Sequence, residues 1–331
     1  MENSGVYLLI AISFLLSVIV VSAQIRKFRK VGLLAPDYYK PDLRKVPTGG
    51  GISILIVLSA VFSLVYILNS FWSNSILPPI TRLDWKALIV ICFFGLFGLL
   101  DDYADVGRIT KIILTFSFSL PLAIEVSTGS IFLPYLGLVF LGIFYWLIVI
   151  PMYIMVTSNL VNMHSGFNGM AVGLTSIIIA FLLIKSILSG RDTVFTLATM
   201  LGVLLGLLWY NRYPSRIFEG NVGALSMGAA IGASIVANGF LVSGFIMLVP
   251  HVVNFLMYVY WRLMRKLHPE DPRWESVKFG KVREDGTIEV PNSLTLKWVL
   301  PHRFRMKEWQ IVLAMYSLTF IFCIFGLFVD Y

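Results

Sequence analysis

Charge is what this sequence has least of. Asp, Glu, Lys and Arg together make up 13% of its 331 residues, against 58% for the apolar set of Ala, Val, Ile, Leu, Met, Phe, Trp, Tyr and Cys. An average soluble domain carries about 25% charge, so too little polar surface remains to cover a water-exposed globule. Cysteine is nearly absent. Cys92 and Cys323 both lie inside apolar runs, which excludes a disulfide scaffold and leaves them as small packing residues. The even spread of apolar segments excludes a disordered chain and a repeat array alike.

Long apolar runs fill the chain, and the mean hydropathy is +0.84. A helix needs roughly 20 apolar residues to cross about 30 Å of hydrocarbon. Windows of that kind fall at about 5–25, 50–69, 86–100, 109–125, 136–157, 168–188, 194–210, 222–238, 240–261 and 309–329. They predict an all-α, polytopic membrane protein of about ten transmembrane helices, since open sheet edges are not tolerated in lipid. The third, fourth and eighth windows are short, so their ends are expected to lie in protein. Val21-Ser22-Ala23 resembles a leader cleavage site. However, Met1–Val6 carries no positive charge and the run exceeds the usual 7–15 residues of such a leader, so it reads as a retained span. Residues 1–331 read as one integral membrane domain, with a loop at 262–308 before the last helix.

Lys and Arg orient the bundle. With the amino terminus outside, twenty-two of the 26 basic residues fall on one face: seven in Arg26–Lys45, then Arg108, Lys111, Arg212, Arg216, and eleven in Arg262–Lys307. Ten spans return the carboxyl terminus to the outside. The net charge of +8 is therefore largely topology and implies no nucleic acid. The unusual polar residues cluster on that same cytoplasmic face, while the deep membrane is almost free of ionisable groups. A transporter is expected to place polar groups near the midplane on broken helices. Chemistry at the membrane surface fits better.

The third span ends in Asp101-Asp102-Tyr103-Ala104-Asp105, followed by Arg108 and Lys111. Asp101 and Asp105 share a helix face, where like charges repel, and a helix C-terminus is the wrong end for anions. Either Arg108 and Lys111 close a solvated turn, or the carboxylates hold a divalent cation with Lys111 on a phosphate. Magnesium is typically held by one or two carboxylates together with substrate phosphates. The fifth span ends in Ser158 through Gly169, which includes Asn159, Asn162 and Asn168. Amides there can read a nucleobase edge or give an oxygen to a metal. His164, alone in the loop, reads more readily as structural than as catalytic.

Arg216-Ile217-Phe218-Glu219-Gly220-Asn221-Val222-Gly223 opens a glycine-rich helix whose free N–H groups favour phosphate. Phe218 can stack on a base or serve as an interfacial aromatic. His251 and Asn254, one turn apart in the ninth span, either bridge helices or join the site.

Together these segments resemble the polyprenyl-phosphate N-acetylhexosamine-1-phosphate transferases, and most of all the archaeal and eukaryotic UDP-GlcNAc:dolichyl-phosphate branch. Gly32 through Gly51 is similar to the family's first cytoplasmic motif, and Asp101 through Asp105 to its acidic motif. Lys111 stands where the family keeps a phosphate-contacting lysine. Asn159 through Gly169, Phe218 through Gly223 and Pro250 through Phe255 are similar to the next three motifs. The resemblance runs in order from about Gly32 to Arg273.

It implies transfer of GlcNAc-1-phosphate from UDP-GlcNAc to dolichyl or another polyprenyl phosphate with Mg2+, or Mn2+ in its place. Implied catalytic residues are Asp101, Asp102 and Lys111. Asp37, Lys40, Asn159, Asn168, Phe218, Gly220, Asn254 and Arg273 are implied in substrate binding, with Asn168 reading uracil, Phe218 stacking on it and Arg273 pairing with the diphosphate or sugar. Asn162 and Asn221 are implied metal ligands. The family usually has aspartate at the place of Asn221, so one negative charge is missing here. Bacterial relatives carry acidic residues at the places of Ser165 and Asn168 and a histidine cluster in the last loop. This chain has His268-Pro269-Glu270-Asp271-Pro272-Arg273 instead. The rivals are a bacterial-type transferase using undecaprenyl phosphate, and a transporter or lipid scaffold. Membrane lipids are expected partners, small-residue helices allow a homodimer, and the setting reads as an archaeal cell membrane rather than endoplasmic reticulum.

Overall fold

The structure, a computed structural model, describes residues 4–71, 76–104, 106–133, 135–191, 193–275 and 277–329. Asp105 and the side chain of Arg108 lie outside the described residues.

The apolar runs form helices α1 (Ser4–Val31), α2 (Ile52–Phe71), α3 (Arg82–Tyr103), α4 (Arg108–Phe118), α5 (Leu120–Ala123), α6 (Ile150–Met163), α7 (Met170–Leu188), α8 (Val194–Asn211) and α9 (Gly220–Asn238). After them come α10 (Leu241–Met247), α11 (Val249–Leu267), α12 (Leu296–Arg303) and α13 (Glu308–Leu327). Among the described residues eight helices are long and apolar enough to cross a membrane, with α6 counted from the π-helical turn at Tyr145. The count rises to nine if α10 and α11, bent by 66°, form one span. The fourth expected window is a shorter apolar helix, Ile109–Ala123. These helices mark an integral membrane protein.

Three expectations need adjustment. The third window, 86–100, is short, yet α3 runs for 22 residues and takes in Arg82, Asp84 and Lys86. Asp84 is fully buried and accepts from Thr81 in a capping box and from the N–H and hydroxyl of Thr196 at 3.0 and 2.6 Å. A charge satisfied this completely does not end a span. The fifth window begins as strand. Ser130–Leu133 (β3) pairs antiparallel with Gly137–Phe140 (β4), and the helix starts only at Tyr145. Gly137, with φ +73°, supplies the left-handed conformation that the tight return needs. The ninth window breaks at Leu248, ahead of Pro250, which lacks the N–H a continuous helix would use.

The all-α expectation is thus right for the bulk of the chain. Small antiparallel pairs also occur between Leu34–Pro36 (β1) and Lys45–Pro47 (β2), and between Lys281–Val282 (β5) and Ile288–Glu289 (β6).

The most buried helix is α9, packed between α3 and α6. A Cβ on Gly228 would run into the backbone of Ser158 on α6, so this crossing is closer than any side chain allows. α9 begins at the end of the bundle where α1, α3, α6, α8 and α11 finish and where α2, α7 and α13 start. The loops at that end converge. Gly50 donates to the carbonyl of Phe218 at 2.8 Å, and Lys297 donates to that of Ser165 at 2.6 Å.

Candidate active site

The converging loops enclose a cavity of about 280 Å³. One wall is set by backbone pairing. Phe218 donates its N–H to Pro47 and accepts from Gly50, and Gly51 donates to Glu219, each at 2.8 Å. This ladder holds Phe218 at the cavity edge and presents the first turn of α9. Gly220 opens that turn with φ +69°, and a Cβ there would lie 3.1 Å from the Cα of Gly49 and 3.2 Å from Oδ2 of Asp102. Glycine satisfies both demands, the backbone angle and the approach.

The N–H of Asn221 then points at Oδ1 of Asp102, 3.4 Å away. A carboxylate is favoured there because it faces the positive end of a helix dipole.

Adjacent carboxylates on α3 are thereby given different surroundings. Asp101 is ion-paired with Lys111 at 2.5 Å and accepts from Nδ2 of Asn221 at 3.4 Å. Asp102 faces the cavity, as do Asn162 and Asn221. Asp101 thus has its cation in Lys111, while Asp102 is turned to the cavity.

The loop after α6 forms the opposite wall. Asn162 accepts the Ser165 hydroxyl on its carbonyl at 2.8 Å, and Gly166 turns the chain with φ +110°. Asn168 is held at both backbone and side chain. Its N–H donates to Glu308 at 2.7 Å, and its Oδ1 accepts from the N–H of Ser215 at 2.8 Å. Nδ2 is left to donate into the cavity, the group needed to meet a base carbonyl.

Beneath this wall is a buried charge network. Glu308 pairs with Lys40, and Lys40 lies 3.3 Å from Asp37, with Arg44 3.7 Å from the same carboxylate. Asp37 itself lines the cavity, whereas Lys40 is enclosed by these partners and by the ring of Tyr213, 4.5 Å from its Nζ. The roof is aromatic. Tyr38 and Phe279 stack with centroids 3.9 Å apart, and the Tyr39 hydroxyl accepts from the N–H of Gly280 at 3.4 Å. Burial pushes the Tyr39 phenol up from its ordinary pKa.

Other expected residues lie off the cavity lining. Asn159 is exposed and donates to the carbonyl of Met155 at 2.8 Å. Asn254 is buried and ties Met163 to Leu296, at 3.2 and 3.0 Å, steadying the end of α6. Arg273 is exposed and closes on Asp271 at 2.7 Å. His164 is buried beside His251, their rings edge to face with centroids 4.7 Å apart. Burial, then the neighbouring His251 and Lys297, hold the His164 pKa well below the usual imidazole range. It is a neutral packing residue.

Three site residues carry no motif in the sequence: Glu308, Lys297 and Phe279. An acidic residue opening an apolar span was the available signal for Glu308. Lys297, over the ring of Phe167 at 5.4 Å, has its pKa lowered to about 8 by burial. Burial raises the carboxyl pKa of Glu219, whose Oε2 accepts from Asn211 at 3.0 Å.

The donor set suits a hard cation. Among the described residues no three His, Cys, Asp or Glu side chains group to hold a metal. Three carboxylates (Asp37, Asp102 and Glu219) and three amides (Asn162, Asn168 and Asn221) line the cavity, all able to offer oxygen. Such a set fits magnesium or manganese rather than a thiolate- or imidazole-seeking metal. Asp37 is held by Lys40 and Arg44 and Glu219 by Asn211, so Asp102 is the carboxylate available to an ion that also takes phosphate oxygens and water.

Comparisons with known proteins bear on the family. The model of glycosyl transferase family 4 matches residues 85–239, which span α3 to α9 and so most of the cavity. A protein of Saccharolobus solfataricus, provisionally named a UDP-N-acetylglucosamine–dolichyl-phosphate N-acetylglucosaminephosphotransferase, is 32% identical over 98% of this chain and 96% of its own. One of the same provisional name from Sulfolobus acidocaldarius is 29% identical over 97% and 94%. A Methanocaldococcus jannaschii protein, provisionally named a glycosyltransferase, is 26% identical over 89% and 87%. Similarity along nearly the whole length, with the family's own pattern running through the helices around the cavity, shows that the chain belongs to glycosyl transferase family 4.

Proposed function

We propose that the protein transfers GlcNAc-1-phosphate from UDP-GlcNAc to dolichyl or a related polyprenyl phosphate, releasing UMP and leaving lipid-diphosphate-GlcNAc. The observation that carries this reading is the convergence of Asp102, Asn162, Asn168, Phe218 and Asn221 on one cavity from three separate segments. The names of the relatives from Saccharolobus solfataricus and Sulfolobus acidocaldarius support the same donor and acceptor.

The nucleotide end is received by Asn168, whose free amide donates to the base, and by Phe218, whose ring offers a stacking face. The first turn of α9 and Asp102 frame the diphosphate. Asp102, Asn162 and Asn221 would hold magnesium, which when bound supplies neutralisation of phosphate charge. An acceptor phosphate oxygen attacks the β-phosphorus, the bond from that phosphorus to the UMP oxygen breaks, and the sugar C1–O bond stays intact. A phosphate monoester with second pKa about 6 is mostly ionised at neutral pH. Positioning and electrostatics therefore matter more here than removal of a proton. Lys111 keeps Asp101 neutralised and sits at the mouth of α4, where the incoming phosphate needs a cation.

In this reading the cavity end faces the cytoplasm of an archaeal cell, the positive-inside side, and both termini face outward. The lipid acceptor enters sideways from the bilayer. Residues 1–331 act as one transferase domain, and a homodimer is compatible with the small-residue helices.

The test uses purified protein in detergent with UDP-GlcNAc, dolichyl phosphate and magnesium, following UMP and lipid-linked GlcNAc together, with and without chelator. Matched, chelator-sensitive formation of both is expected. If neither forms, with this or other UDP-sugars, the transferase reading fails. Uptake of substrate into sealed vesicles without UMP would replace it with transport.

A further inference from the structure

A second cavity, about 400 Å³, opens at the same end of the bundle and shares no lining residue with the first. Its walls are Trp209, Tyr210, Arg212, Tyr213, Pro214 and Arg216, from the last turn of α8 and the loop after it. The Arg212 guanidinium lies 4.2 Å over the Trp209 ring. The backbone of Arg216 is fixed by its N–H bond to the carbonyl of Tyr210 at 2.8 Å. Neither arginine side chain forms an ion pair with a described residue, whereas Lys40, Arg44 and Lys111 at the same end are all paired with carboxylates.

A second helix brings more charge to this place. Gly202 of α8 faces Ile10 and Ser13 of α1, and Gly206 faces Phe14 and Ser17, so the two helices are packed in parallel. α1 runs on past the end of α8, and its last turns carry exposed Arg26, Lys27, Arg29 and Lys30. These four also lack ion pairs to described residues. Trp209 and Tyr213 are 51% and 41% exposed, as aromatic rings are at headgroup level. Deeper along the same two helices, Leu15, Ile19 and Leu205 expose apolar surface at the depth acyl chains reach.

The positive-inside rule accounts for an excess of charge on one face. It does not account for two unpaired guanidiniums lining one concavity beside an exposed indole. We propose that this cavity binds the phosphate of an anionic membrane phospholipid. Arginine's planar fork matches phosphate oxygens in a bidentate way. Basic pockets between transmembrane helices, at the membrane surface, recognise anionic headgroups. A zwitterionic choline headgroup would bring its own cation against Arg212 and Arg216 and is disfavoured.

The experiment is lipid competition on the purified, delipidated full-length protein, with bound lipids counted by native mass spectrometry in an equimolar mixture of phosphatidylglycerol and phosphatidylcholine. Wild type is expected to retain phosphatidylglycerol preferentially. Arg212→Gln and Arg216→Gln are each expected to reduce that preference roughly fivefold, the factor for one basic residue near an anionic surface. Equal retention of both lipids by wild type, or an undiminished preference in the double variant, overturns the proposal. So does complete displacement by excess inorganic phosphate, which would make this a site for free phosphate. A measurement on wild type alone guards against a variant that does not fold. Hydrogen exchange of residues 207–216 is expected to slow in phosphatidylglycerol nanodiscs relative to phosphatidylcholine discs, and identical exchange overturns the assignment.

Discussion

The carboxylate of Glu308 accepts the backbone N–H of Asn168 at 2.7 Å, joining the first residue of the last helix to a loop 140 residues earlier. Its other oxygen pairs with Lys40, so one buried side chain ties both walls of the cavity together. Breaking a buried ion pair by removing one partner costs about 3–5 kcal/mol, because the other charge stays buried. Glu308→Gln keeps the shape but leaves Lys40 with Asp37 alone. Its thermal midpoint is expected to fall, and KM for the nucleotide sugar to rise about tenfold with a smaller change in kcat, since Asn168 loses its support rather than its own amide. Glu308→Asp should recover part of both. Unchanged KM in Glu308→Gln would remove Glu308 from any positioning role.

The two aspartates of α3 should separate in kinetics as they do in space. Asp102 faces the cavity with Asn162 and Asn221, while Asp101 is occupied by Lys111. Asp102→Asn is expected to lower kcat by about 100-fold or more, the scale of losing one preorganised electrostatic contact. Asp101→Asn should lose less and should make turnover more sensitive to salt, because the Lys111 ammonium is released. Steady-state rates at two ionic strengths would decide it. Equal losses with equal salt dependence would mean that the pair acts as a unit.

The spans and the polar end of the bundle were legible because both follow from strong local signals: long apolar runs, and amides or carboxylates next to them. What stayed hidden depends on tertiary partners. Asp84 lies outside the third apolar window, and only Thr81 and Thr196, which satisfy it, explain its place inside the helix. The β3–β4 pair hid in an apolar stretch because short apolar runs do not distinguish strand from helix by period. Phe279 sits in a basic loop, and only the fold brings it onto Tyr38. Asn254 and Lys40 were implied by the family resemblance of their segments, and in the fold both hold neighbouring walls and lie off the cavity lining.

Lys297 introduces a pH dependence of stability. Burial lowers its pKa from 10.5 to about 8, so between those values the folded protein holds fewer protons at this site than the unfolded chain does. Stability then rises with pH in that window, and below about pH 8, where both states are protonated, the contribution is level and unfavourable. Thermal midpoints measured from pH 7 to 10 are expected to show this upward component in wild type and to lack it in Lys297→Met. Parallel profiles for the two proteins would show that the ammonium is not desolvated. Lys297→Met also removes the bond to the Ser165 carbonyl, so a pH-independent drop is expected as well.

Asn221 offers the sharpest test of how the cavity holds a cation. Its amide nitrogen donates to Asp101 at 3.4 Å, and its backbone N–H faces Asp102, so a neutral side chain sits between two carboxylates. Asn221→Asp would replace a donor by a third negative charge in the same place. Without a cation that charge repels Asp101 and Asp102, so the metal-free protein is expected to melt at a lower temperature than wild type. A bound divalent ion neutralises the repulsion, so magnesium should raise the midpoint of the variant more than that of wild type. The magnesium concentration giving half-maximal turnover should fall in parallel. Both shifts have one origin, the added charge, and melting reports it without any reaction. If magnesium stabilises wild type and variant equally, the ion does not sit beside Asn221, and Asp102 and Asn162 cannot be its neighbours in this cavity.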